Sequence, residues 1–112
     1  MTTPLQAAHK YVDICTVSLS ERDFFSICAE RVRVSNQTNQ GEILSFSGRE
    51  GVVKAFAEKV FTNTRAFDIM KVGYSSGNEG VAVYLDLNAD KLSEEGKWVR
   101  THFIERTYLT FE

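Results

Sequence analysis

Residues 80–111 read GVAVYLDLNADKLSEEGKWVRTHFIERTYLTF. Val81, Val83, Leu85 and Leu87 alternate with Ala82, Tyr84, Asp86 and Asn88, the period-two signature of a strand over Gly80–Asn88. The charged stretch Ala89–Gly96 reads as a loop, and Lys97–Phe111 as a long second strand. Its side chains divide between two faces. Val99, Thr101, Phe103, Glu105, Thr107, Leu109 and Phe111 share one, while Trp98, Arg100, His102, Ile104, Arg106 and Tyr108 share the other. Upstream, Ser75-Ser76-Gly77-Asn78 is a turn signal that ties a further strand, Ala66–Tyr74, to this pair. Arg31–Ser35 and Glu42–Phe46 form two shorter strands around the polar turn Asn36–Gly41.

Three helix starts are signposted by a hydroxyl cap with a polar or acidic residue three positions on: Thr3 with Gln6, Ser20 with Asp23, and Ser47 with Glu50. Leu5, Ala8, Val12, Cys15 and Leu19 make one apolar stripe, flanked by Tyr11 and Ile14, and predict a helix over Pro4–Val17. Helices over Glu21–Ala29 and Arg49–Phe61 follow from Phe24, Ile27 and Cys28 and from Val53, Phe56, Ala57 and Val60. The order helix, helix, two strands, helix, three strands is that of an α+β layer in one domain spanning residues 1–112.

Composition narrows the function classes. Thirteen basic and fifteen acidic residues in 112 give a net charge of -2, which argues against nucleic acid as the main partner. No apolar run approaches the ~20 residues of a membrane span, and the N-terminus lacks the basic start and apolar run of an export signal. The expected location is therefore cytoplasmic, with Cys15 and Cys28 reduced and buried. His9 and His102 have no ligand spacing, so no metal is expected. No phosphate-binding glycine loop is present, so no cofactor is expected.

Three stretches resemble the NTF2-like superfamily, which includes ketosteroid isomerases and SnoaL-like cyclases. His9-Lys10-Tyr11-Val12-Asp13 is similar to its helix-one turn, Phe25–Val34 to its step into the first strand, and Gly48-Arg49-Glu50-Gly51-Val52 to the start of its third helix. The resemblance implies a cone-like (cystatin-like) fold, in which a curved antiparallel sheet packs on three helices around a ligand-binding pocket. It also implies homodimers and one more strand after the last one read here. The missing family strand would leave an open edge beside Lys97–Phe111.

By the same resemblance, Tyr11 falls where the isomerases carry an oxyanion donor. Asn36 falls where they carry the aspartate base, and Thr107 where they carry a second, acidic donor, so two of the three groups differ. The Asp-Arg-Asp set of the epoxide hydrolase relatives has its residue types in Asp68, Arg100 and Asp86. If Thr107 faces the pocket, Glu105 does too, and burial would raise its pKa into the range of a general acid or base. Tyr11 and Glu105 are thus the candidate catalytic residues. Phe24, Phe56, Phe103 and Thr107 are the candidate pocket lining, and Trp98, Arg100, His102, Arg106 and Tyr108 the candidate dimer interface. The expected function is binding of a small apolar ligand, flat or polycyclic, with isomerase- or cyclase-like acid/base chemistry if the protein is an enzyme. The alternative is a non-enzymatic homodimerising interaction module.

Overall fold

Thr3 opens the first helix with a reciprocal cap. Its hydroxyl accepts from the Gln6 N–H at 3.1 Å, and the Gln6 side chain accepts from the Thr3 N–H at 2.9 Å. A computed structural model of the chain describes residues 3–28, 30–37, 43–77 and 80–110. Thr38–Glu42, Ala29, Asn78 and Phe111, which figure in the expected turns and element ends, lie outside them.

Helix α1 (Pro4–Asp13) continues into a π-helical turn, Ile14–Ser18, in which the Thr16 hydroxyl donates to the Val12 carbonyl at 2.7 Å. Leu19, left-handed at φ 50°, closes it. Ser20 caps α2 (Glu21–Ile27) through the Asp23 N–H at 3.2 Å. Helix α3 (Arg49–Phe56) ends in a second π-helical turn, Ala57–Phe61. Its cap differs from expectation: Gly48, at φ 82°, occupies the cap position and Ser47 ends a strand. The Gly48 N–H is held by the Val32 carbonyl at 2.9 Å, and its own carbonyl accepts from Val52 at 2.9 Å. The positive φ favours glycine, so the chain turns into the helix without a side-chain cap.

The strands are β1 (Arg33–Gln37), β2 (Ile43–Ser47), β3 (Thr64–Ser76), β4 (Gly80–Leu92) and β5 (Trp98–Thr110). They form one antiparallel sheet in the order β2-β1-β5-β4-β3. Two expectations change. The charged stretch from Ala89 is strand up to Leu92, because Ala89 turns inward while Asp90 turns outward and meets Arg100 at 3.3 Å. Alternation places the charges where water reaches them, so they do not break the strand. Second, β5 is flanked by β1 and β4, and the anticipated open edge beside it is not there among the described residues. The edges are β2 and β3, and β3 is irregular, with register shifts between Arg65 and Asp68 and between Ile69 and Lys71.

All three helices pack on one face of the sheet. That face carries Val81, Val83, Leu85, Leu87 and Ala89 of β4, Thr107 and Leu109 of β5 and Val34 of β1, all buried. Against them lie Ala8, Tyr11 and Val12 of α1, Phe24 of α2, and Val52, Val53 and Phe56 of α3. Phe24 is the hub of the aromatic packing. Its ring centroid is 5.0 Å from Phe56, 5.8 Å from Tyr11 and 6.0 Å from Phe61. Among the described residues no helix is long and apolar enough to cross a membrane.

Candidate functional site

Where α1, α3 and the β4–β5 inner face diverge, the core is not filled. A half-enclosed cavity of ≈ 170 Å³ lies between Tyr11 and Cys15 of α1 and its π-helical turn, Phe56 and Val60 of α3 and its turn, and Leu85, Leu87, Phe103 and Glu105 of the sheet. Leu44 and Phe46 of β2 and Phe67 of β3 close its sides. Phe67 sits inside the first register shift of β3, so the irregular edge strand bends a ring onto the cavity.

Tyr11 and Cys15 are one helical turn apart, and both reach the cavity from α1. Tyr11 is 1 % exposed, and its hydroxyl is hydrogen-bonded to Cys15 and to Thr107. Burial pushes the phenol well above its ordinary range, with the Cys15 and Glu105 charges adding and the Thr107 hydroxyl opposing. The hydrogen bond with Tyr11 partly offsets the rise that burial imposes on the Cys15 thiol. Both groups therefore carry their protons at neutral pH, and neither is a nucleophile there. Cys28, farther from the cavity, is pushed up to about 12 by burial, against the pull of Arg49.

Glu105 is the sole carboxylate on the cavity wall among the described residues. As a whole residue it is only half-buried, because the cavity beside it is open. Its carboxyl is nonetheless withdrawn from bulk water, and that desolvation raises its pKa. Glu105 and Thr107 are alternate residues of β5, about 7 Å apart along the strand. The phenol held by Thr107 is thus one side-chain step from the carboxylate, and its field reaches the phenol.

The raised carboxyl makes a pH prediction. An acid with a higher pKa folded than unfolded binds more protons in the native state across that interval, so stability falls as pH rises through it. The penalty is absent below the unfolded value, about 4.3, and complete above the folded one. Glu105→Gln is expected to remove this component, raising the melting midpoint relative to wild type at pH 8 and not at pH 4. Parallel wild-type and variant midpoints from pH 4 to 8 would show that the carboxyl is solvated.

The structure brings together four of the six residues singled out for catalysis and lining. Tyr11, Glu105, Phe56 and Phe103 all face the cavity. Phe24 and Thr107 do not line it; Phe24 packs against the Tyr11 and Phe56 rings at 5.8 and 5.0 Å, and Thr107 hydrogen-bonds Tyr11. Asn36 pairs with Thr107 across β1–β5. Asp86 and Arg100 do not meet at the cavity. They lie on the opposite sheet face, where Asp86 Oδ1 is 2.6 Å from His102 Nε2 and Arg100 engages Asp90 and the Ala66 carbonyl. Asp68 pairs in register with Asn88 on the same outer face and is exposed. The His102 partner is invisible to local spacing because it is a diagonal neighbour on the adjacent strand.

The strip expected to join two copies also lies on this outer face. Within the chain Arg106 stands over Tyr84 at 5.6 Å, and Arg65 of β3 stands over Trp98 at 4.1 Å. Trp98, Arg100, His102, Arg106 and Tyr108 are all exposed, so charges and aromatics alike remain open on this face.

Sequence reasoning missed Cys15, Phe46, Lys59 and Lys91 as cavity residues. The four-residue spacing of Cys15 from Tyr11 was a usable signal. Lys59 and Lys91 read as solvated charges on a helix and in a loop. Among the described residues no cluster of three or more His, Cys, Asp or Glu side chains is arranged to hold a metal. Compared with family models, curated proteins and solved structures, the chain matches none.

Proposed function

We propose that this chain is an NTF2-like protein whose cavity binds a small, flat, largely apolar molecule, with Tyr11 and Glu105 acting on it as hydrogen-bond donor and acid/base. The observation that carries this reading is the convergence of a protonated, buried phenol and a desolvated carboxyl on one apolar cavity. The family assignment is supported by the element order and by the three stretches around Tyr11, Phe25–Val34 and Gly48–Val52.

The chemistry that suits the pair is allylic isomerisation of a carbonyl compound. Glu105 carboxylate takes a proton from the carbon beside the carbonyl, and the electron pair moves to the oxygen as an enolate. The Tyr11 hydroxyl, released from Cys15, donates to that oxygen. Glu105 returns the proton to a different carbon. A raised carboxyl pKa suits both halves of this transfer, and the phenol stabilises charge only as it develops.

Size decides among ligands. An apolar cavity of about 150 Å³ holds benzene, and drug-sized sites start near 300 Å³. At ≈ 170 Å³ the space admits one or two fused rings and not a four-ring steroid, which narrows the polycyclic expectation. The test is a thermal-shift series of bicyclic ketones against steroids. A saturable rise is expected for the bicyclics alone, reaching about 2.7 kcal/mol of stabilisation at a hundredfold excess over Kd. No rise with any bicyclic would overturn the pocket reading.

A further inference from the structure

Of the residues lining the cavity, the exposed ones are Lys59 and Lys91. Buried Tyr11, Cys15, Phe56, Leu85 and Leu87 form the floor, so the two lysines mark the mouth. They come from different elements that are tied together there. Lys91 pairs with Thr64 in the β3–β4 ladder, and the Thr64 hydroxyl donates to the carbonyl of Val60, the neighbour of Lys59. The Lys59 ammonium stands 5.3 Å from the centroid of Phe46, itself a wall of the cavity, which holds the charge over the opening. Among the described residues no carboxylate lies within ion-pair distance of either ammonium. Among the described residues, two cations without an ion-pair partner stand at the rim of an apolar hole with a single carboxyl at its wall, and the opening they frame is positive.

We infer that the ligand of this cavity carries a carboxylate, its one or two rings in the apolar floor and that carboxylate between Lys59 and Lys91. This rests on the pocket reading above. Orientation follows from the same polarity: the anionic head stays in water at the mouth, and the opposite edge of the ring system lies nearest Tyr11 and Glu105. The floor burial supplies most of the affinity, and the lysines select the acid over its neutral isostere.

The test compares 2-naphthoate with 2-naphthamide, which share ring size and differ in charge at pH 7.5, by titration calorimetry. Wild type is expected to bind the acid about tenfold more tightly. Lys59→Gln with Lys91→Gln is expected to abolish that preference while leaving the amide within twofold of its wild-type affinity. Lys71→Gln, an exposed lysine of β3 away from the cavity, is expected to leave the preference intact. Equal binding of acid and amide by wild type would overturn the carboxylate inference and leave the pocket standing. So would a preference that survives the double substitution or collapses in Lys71→Gln. Binding of neither probe would overturn the pocket reading, and this inference with it.

Discussion

Replacing Phe24 with alanine is expected to lower the melting midpoint by roughly 15 °C. The ring is 1 % exposed and packs against Tyr11, Phe56 and Phe61, so its loss removes contacts to three elements at once. Large-to-small substitutions of this kind cost about 3–5 kcal/mol. A domain of 112 residues has on the order of 6–17 kcal/mol in total, and each kcal/mol moves the midpoint by about 4 °C at this size. The effect also reaches the site, because Phe24 backs the two rings, Tyr11 and Phe56, that face the cavity. Circular dichroism melts of wild type and variant measure it. A fall under about 5 °C would mean that the cluster closes over the missing ring and that Phe24 is not its hub.

Gly80→Ala is expected to destabilise by about 3 kcal/mol, or roughly 12 °C. Gly80 opens β4 opposite Thr110, and a Cβ there would overlap the carbonyl oxygen of Leu109. The obstacle is backbone in the central strand and not the tip of a flexible side chain, so relief requires β4 and β5 to separate. Gly51→Ala is the matched control, since nothing crowds a Cβ at that helical position. Equal midpoints for the two variants would show that the β4–β5 spacing at Gly80 is looser than the register implies.

The elements were legible in the sequence because their signals are local. The cap at Thr3, the valine and leucine alternation of β4 and the two-faced composition of β5 each act over a few residues, and each appears within a few residues of its expected place. The division of β5 into two faces was readable, but which of them turns inward was not, since Val99, Phe103 and Leu109 on one compete with Trp98, Ile104 and Tyr108 on the other. What was not legible depends on pairing between distant strands. The central place of β5 and the His102–Asp86 contact are both set by register, which no local window contains. Depth was also hidden. Phe24 and Thr107 are buried and both contact Tyr11, yet neither lines the space that Tyr11 reaches.

The position of β5 bears on how the molecule is made. Ser35 of β1 pairs with Tyr108 of β5, about 70 residues later in the chain, and β1 has no other partner in the sheet but the short β2. The β1–β2 and β3–β4 hairpins and all three helices precede residues 98–110 in the chain, and only that last strand joins the two hairpins into one sheet. The cavity exists only after that step, because Phe103 and Glu105 arrive with the same strand.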